Sequence, residues 1–225
     1  MLKSIFIVTL VLLMSACGGG GGGGDSTPAS TPTSPTQTFS LAKLQSTTLG
    51  TVYSTQLSGS DSDGTNYTGS ISLANRAQEM LGGVLVTPRD LLLNLTGGGV
   101  STVVTATSYV DTSNNLISLV IQTTGVVCTP VSPNNIPSTV KIGDFGILST
   151  LVCDDNTTQE TNWRIEDAGN GNILAITNAT AKDQFSTITS VADVSYTLDG
   201  NGNIIAFKTV VTINASSFTL TYSSI

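Results

Sequence analysis

Three stretches of this chain repeat one plan. "SYVDTSNNLISLVIQ", "WRIEDAGNGNILAIT" and "SYTLDGNGNIIAFKT" each carry an aromatic-bearing segment into an Asp, an Asn/Gly cluster and an aliphatic segment. Apolar and small polar residues alternate on both sides of the cluster, which is the period of a half-buried strand. Asn-Gly suits a two-residue type I′ turn, whose central residues both need positive φ and whose twist matches the flanking strands. Asn170-Gly171 and Asn201-Gly202 are therefore predicted hairpin turns. A further hairpin is predicted around Ser58–Asn66, joining Thr51–Leu57 to Tyr67–Leu73, with Tyr53 and Leu57 on one face and Tyr67, Ile71 and Leu73 on one face. "DLLLNLT", "VSTVVTATSYV" and "NLISLVIQTT" read as strands bounded by turn residues, and "NRAQEML" as a single helical turn. The expected fold is all-β: an antiparallel hairpin meander of roughly ten strands, which must close into a barrel or fold into a β-sandwich to bury one face. The spacing is too irregular for a solenoid.

The N-terminus follows other rules. Lys3 precedes an apolar run, Ile5–Met14, broken only by Thr9, and the small residues Ser15 and Ala16 close it. Such a run is too short to cross a bilayer, which takes about 20 residues. With its basic start it reads as a secretory signal. Leu13-Met14-Ser15-Ala16-Cys17 resembles the lipobox of bacterial lipoproteins. That resemblance implies cleavage between Ala16 and Cys17, lipid on Cys17, and attachment to the membrane through that lipid. Because Gly18 stands where an aspartate would favour inner-membrane retention, it also implies the outer membrane where the host has one. The other reading is an ordinary secretory signal with an incidental Cys17. Two acyl chains on one residue would anchor stably, since a single chain binds only reversibly. Seven glycines, Gly18–Gly24, and a Pro-spaced Ser/Thr tract follow, with too little apolar surface to offset the entropy of ordering. The expected organisation is a signal peptide at 1–16, a lipidated cysteine and tether at 17–38, and a single all-β domain at 39–225.

Composition excludes more than it assigns. The chain has no histidine, which removes Ser-His-Asp and Cys-His catalysis and His-ligated metals. Lys and Arg number 8 against 15 Asp and Glu, with no basic block, so nucleic acid is not an expected partner. With Cys17 carrying lipid, Cys128 and Cys153 remain, and two cysteines in an exported domain are expected to pair.

The acidic clusters are the remaining candidates for chemistry. "GSDSDGTNYTGS" suggests a calcium site at Asp61 and Asp63, but placing Gly64 at the sixth position of an EF-hand-type loop puts Gly59 and Ser70 at its two end-ligand positions. An acidic, solvated turn accounts for it equally. Asp154-Asp155 and Glu166-Asp167 are adjacent on the chain, and neighbours on a strand point to opposite faces, so neither doublet is a glycosidase pair. Trp163 alternates with Arg164 and shares its face with Ile165, which places it in the core. No cofactor and no catalytic residue is expected. The reading is a lipid-anchored envelope protein whose domain binds another envelope or surface protein, or serves a structural role. The runner-up is a barrel enclosing a small apolar ligand, and a carboxylate-dependent enzyme acting on glycans is a third.

Overall fold

The computed structural model describes residues 37–131, 137–216 and 218–225. The described chain is all strand apart from turns and one 3-10 turn at Asn214–Ser216. The strands are β1 (Thr38–Ser40), β2 (Gly50–Asp61), β3 (Asn66–Asn75), β4 (Glu79–Leu81), β5 (Val84–Gly97), β6 (Val100–Asp111), β7 (Leu116–Ile121) and β8 (Val126–Pro130). They continue with β9 (Thr139–Lys141), β10 (Phe145–Cys153), β11 (Thr158–Gly169), β12 (Asn172–Lys182), β13 (Ile188–Leu198), β14 (Ile204–Ile213) and β15 (Phe218–Ser224).

Twelve of these pair antiparallel in the order β3-β2-β15-β14-β13-β12-β11-β10-β8-β7-β6-β5, and the ring closes where β3 pairs with β5, from Tyr67↔Gly97 to Asn75↔Arg89. Closure removes the two sheet edges that an open meander would expose. The four expected hairpins are present, as β2–β3, β6–β7, β11–β12 and β13–β14. "NRAQEML" is not helical: Glu79–Leu81 pairs with Val84–Val86 and lengthens the β3–β5 hairpin past the rim of the barrel. The Gly82-Gly83 turn with positive φ at both residues explains this, because it lets the two segments pair where a helical turn would leave Met80 and Leu81 unsupported.

The alternation inferred from the sequence sets what faces inward. Leu57, Ile71, Leu73, Leu93, Val104, Ile121, Leu151, Ile165, Ile173, Val194 and Val211 are buried in the interior, where Arg89, Gln159, Thr161, Ser190 and Thr209 are buried too. Ser, Thr, Asn and charged residues predominate outside, interrupted by exposed Leu92, Val103, Val127 and Val152. A membrane-spanning barrel has the reverse arrangement, with an apolar band outside. At mid-barrel the inward side chains, among them Ile71, Leu93, Val104, Ile173, Ala192 and Val211, are inaccessible to water.

Strand packing also depends on glycines inside strands. A Cβ on Gly69 would lie 1.9 Å from the Asn94 carbonyl oxygen, and one on Gly59 2.0 Å from that of Thr221. Neither neighbour is a flexible side chain, so the backbone would have to move. Gly69→Ala is expected to lower stability by about 2 kcal/mol, read as a lower denaturation midpoint at unchanged slope. An unaffected midpoint would mean the strands part there at no cost.

The two ends of the barrel differ. The end at which the chain enters carries the β6–β7, β11–β12 and β13–β14 turns and the β4–β5 tip; the far end carries the β2–β3, β5–β6, β10–β11 and β12–β13 turns. A strap crosses the entry end. It begins as β1, pairs with β9, and inserts Phe39, Leu41 and Val140 into the core. It then passes the β13–β14 turn, where Gly202 faces the Ser40 carbonyl and Lys43 donates to Asn203 Oδ1. It is locked at its other end by Arg89. This buried guanidinium donates from Nε to Asn75 Oδ1 at 3.0 Å and from Nη2 to the Ser46 carbonyl at 3.2 Å, and Asn75 Nδ2 donates to the Ser46 and Thr48 carbonyls at 2.6 and 3.0 Å.

Candidate interaction surface

The acidic positions come together as turn hardware. Asp61, Asp111, Asp183 and Asp199 each open a five-residue turn with one hydrogen-bond pattern. In each, the first residue's N–H donates to the fifth residue's carbonyl, and the fourth residue's N–H donates back to the first residue's carbonyl. The fourth residue has positive φ: Gly64, Asn114, Ser186 and Gly202. The Asp Oδ1 then accepts the N–H groups of the third and fifth residues at 2.8–3.0 Å, as with Asp63 and Thr65 on Asp61 and with Ser113 and Asn115 on Asp111. Phe185 and Thr187 do the same on Asp183, and Asn201 and Asn203 on Asp199. This corrects the expectation at Asn201-Gly202. Only Gly202 is left-handed there, and the turn is a three-residue loop ending in a bulge, because the Asp199 carboxylate draws in two amides that a two-residue loop cannot present. Asn170-Gly171 does take positive φ at both residues between Gly169 and Asn172.

Each of these carboxylates is therefore already bonded. Asp61 Oδ2 also accepts from the Tyr67 hydroxyl at 2.9 Å. Its partial burial would raise its pKa, but the amides of Thr65 and Asp63 and the Tyr67 hydroxyl outweigh that and hold it below its ordinary value. Asp63 carries no comparable set of bonds, and among the described residues no three potential metal ligands gather. Asp199 is lowered chiefly by Asn203, through its side-chain amide and its N–H, with smaller help from Asn201 and Lys43. A carboxylate lowered on folding stabilises the protein above its unfolded pKa and loses that contribution as pH falls through the folded value. The stability gap between the protein and its Asp199→Asn variant is accordingly expected to be constant above about pH 5 and to close in more acidic solution. Thermal melts of both across pH check it, and a gap that widens on acidification would refute it.

The doublets are similarly engaged. Asp154 Oδ1 accepts the Val127 N–H at 3.1 Å, and Asp155 Oδ1 accepts the Thr157 N–H and hydroxyl. Glu166 pairs with Arg164 at 2.6 Å, and Asp167 accepts the Gly169 N–H. Cys128 and Cys153 form a disulfide between β8 and β10, where they stand opposite one another with Cα atoms 3.9 Å apart. The Cys153 N–H donates to Thr157 and the Asp154 N–H to Val127, so the cysteines are a non-hydrogen-bonded pair, the arrangement in which opposite strands' Cα atoms come closest. Ala16 and Cys17, the expected cleavage and lipid positions, lie outside the described residues.

The surface feature that the sequence reading missed is on β10. Beyond its three pairs with β8 and one bond from the Val131 N–H to the Thr150 carbonyl, β10 has no strand partner on that side from Phe145 to Ser149 among the described residues. Phe145 and Ile147 project outward from this stretch, 80% and 65% exposed. With Gly146 they border a groove of about 470 Å³ completed by Asn162, Arg164 and Asn178. Trp163 forms its floor. The indole belongs to the core, as expected, and a Cβ on Gly146 would lie 2.8 Å from its Nε1, so glycine is what lets the ring pack this close to β10. The available signal was the alternation of "DFGIL", which puts two large apolar residues on the face that elsewhere carries Ser and Thr.

Inside the barrel, Gln159 Oε1, Thr177 Oγ1 and the Tyr222 hydroxyl are buried with no hydrogen-bond partner among the described residues. Burial raises the Tyr222 pKa far above the ordinary tyrosine value. The geometry thus defines a class: a closed twelve-stranded antiparallel barrel with a strapped entry end and an apolar groove on its outer wall. Comparison with protein-family models, curated proteins and solved structures finds no match to this chain.

Proposed function

We propose that this is a lipid-anchored protein of the bacterial cell envelope, held in the outer membrane through Cys17, whose barrel is a non-catalytic module that binds an extended segment of another envelope protein. The observation that carries the binding role is the pairing of exposed Phe145 and Ile147 with a stretch of strand that has no partner among the described residues. A strand edge supplies backbone hydrogen bonds to an added chain, and pockets beside it select alternate side chains. Here Asn162, Arg164 and Asn178 provide the polar rim and Phe145, Ile147 and Trp163 the apolar floor. The non-catalytic reading is supported by the acidic residues, which are engaged in turns and surface pairs rather than facing one another across a cleft. The anchor reading rests on the lipobox-like segment before Cys17.

A photo-crosslinking residue at Ile147 in growing cells is expected to trap one defined envelope protein, and Phe145→Ser in the same chain to abolish the adduct. The same crosslinker at Ser58, on the outer face of β2, serves as the control. Equal adducts from both positions, or none from Ile147, would remove the groove from the proposal.

A further inference from the structure

We propose that the β4–β5 tip is a membrane-contacting finger that sets the barrel against the bilayer to which the chain is anchored. The inference deepens the anchored reading and rests on it for the identity of the surface. The tip runs Met80-Leu81-Gly82-Gly83-Val84-Leu85, and no charged residue occurs between Glu79 and Arg89. Its last shared pair with the barrel wall is Val86↔Asp111, so the Gly82-Gly83 turn stands about 10 Å beyond the rim at ~3.3 Å per residue. Met80 and Leu85 form a cross-strand pair and are 64% and 41% exposed, and Val84 is 40% exposed. Elsewhere on this rim, the turns at Asp111–Asn115, Gly169–Asn172 and Asp199–Asn203 are built from Asp, Asn, Gly, Ser and Thr. An apolar turn stands apart in that company, with Met80 at its tip largely exposed.

Direction selects a lipid surface as the occupant. The 36 residues that precede the described structure join it at Gln37, directly before β1 at the entry end, and the finger projects from that same end. In a chain anchored through Cys17 this end is therefore the one joined to the anchor. Charge separates the two ends only weakly: Lys43, Arg76 and Lys141 lie at the entry end among Glu79, Asp111, Asp144, Glu166, Asp167 and Asp199, whereas the far end carries Asp61, Asp63, Asp154, Asp155, Glu160 and Asp183 against Lys182 alone. Anionic headgroups would therefore repel the far end more. A short apolar loop adds a second attachment to a lipid anchor by burying side-chain methylenes at the interface, without spanning the bilayer.

The test uses the full chain isolated from membranes and reconstituted in phosphatidylethanolamine/phosphatidylglycerol vesicles containing doxyl-labelled lipid. A polarity-sensitive fluorophore is placed through Met80→Cys, and in a separate chain through Phe185→Cys at the far end. Quenching and a blue shift at 80 with neither at 185 is the expected result. Met80→Asp with Leu85→Asp, checked for folding by its melting curve, is expected to weaken vesicle retention about tenfold in the absence of lipid on Cys17. Equal, unquenched signals at 80 and 185 overturn the finger. So does a signal at 80 that depends on protein concentration and not on vesicles, which would make the tip a contact between copies. The mass of the N-terminal peptide reports the anchor separately. A lipidated Cys17 with an unquenched label at 80 sinks the finger alone, and an unlipidated Cys17 with a quenched label sinks the anchor alone.

Discussion

Arg89→Met is expected to destabilise the protein by about 4 kcal/mol and to release the strap before the barrel opens. The guanidinium is buried and holds Asn75 and the Ser46 carbonyl, while Asn75 holds Ser46 and Thr48. Methionine fills a similar volume but leaves the buried Asn75 Oδ1 without its donor and removes one of the two bonds to the half-buried Ser46 carbonyl. Each buried acceptor stranded in this way costs about 1–3 kcal/mol, and hydrogen bonds from a charged donor lie at the upper end. The loss should be local first. Phe39 and Leu41 reach the core from the same strap, so amides of Leu41 and Gln45, which bond to Ser138 and Leu41, should exchange faster than amides of β12 and β13. Arg89→Lys keeps the charge but cannot repeat the two directed bonds, and should fall between the two. Hydrogen exchange with denaturant melts decides it. Uniformly faster exchange across the barrel would show that Arg89 supports the wall and not the strap.

The strap also marks where the sequence stops being informative. Alternation exposed β2, β3, β6, β7 and β11–β14, because each has one face buried and one in water, and a one-residue slip would invert every side chain. The inward placement of Trp163 and Ile165 follows from the same period. The disulfide was legible from counting. Closure was not: it rests on β3 pairing with β5, and "LLLNL" reads as a strand without saying which partner it takes. β1 and β9 are three residues each and carry no period of their own; they exist only because the barrel end needs filling. The Asn201-Gly202 turn failed for a related reason. Turn type was inferred from two residues, whereas the carboxylate of Asp199, two positions earlier, selects the longer loop. The Phe145–Ile147 groove was hidden because an exposed Phe in a strand looks the same in sequence as a buried one. Only the early end of β8 at Pro130 reveals that its side of β10, from Phe145 to Ser149, has no strand partner among the described residues.

That seam is where the second large effect is expected. β8 and β10 share three residue pairs, Leu151↔Pro130, Val152↔Thr129 and Cys153↔Cys128, the shortest pairing in the closed ring apart from the three-residue ladder of β7 with β8. The bridge closes the ring at this point and ties residues 25 apart in sequence. Replacing both cysteines by alanine is expected to cost about 3 kcal/mol on the chain-entropy estimate for a loop of that length. For a domain of this size that is a fall in Tm of about 10 °C. Because both cysteines are buried, a thiol reductant should reach the bridge only when the seam opens, so the reduction rate measures that opening. Exchange should accelerate most at the amides of Val127 and Asp154, which bond across the seam to Asp154 and Val127. The same opening would lengthen the stretch of β10 that has no partner among the described residues, so the double variant should bind a groove ligand differently from the native chain even where it remains folded. If Tm moves by less than about 2 °C and reductant reacts at the rate of an exposed disulfide, then β8 and β10 do not depend on the bridge, and the seam is held by the flanking ladders alone.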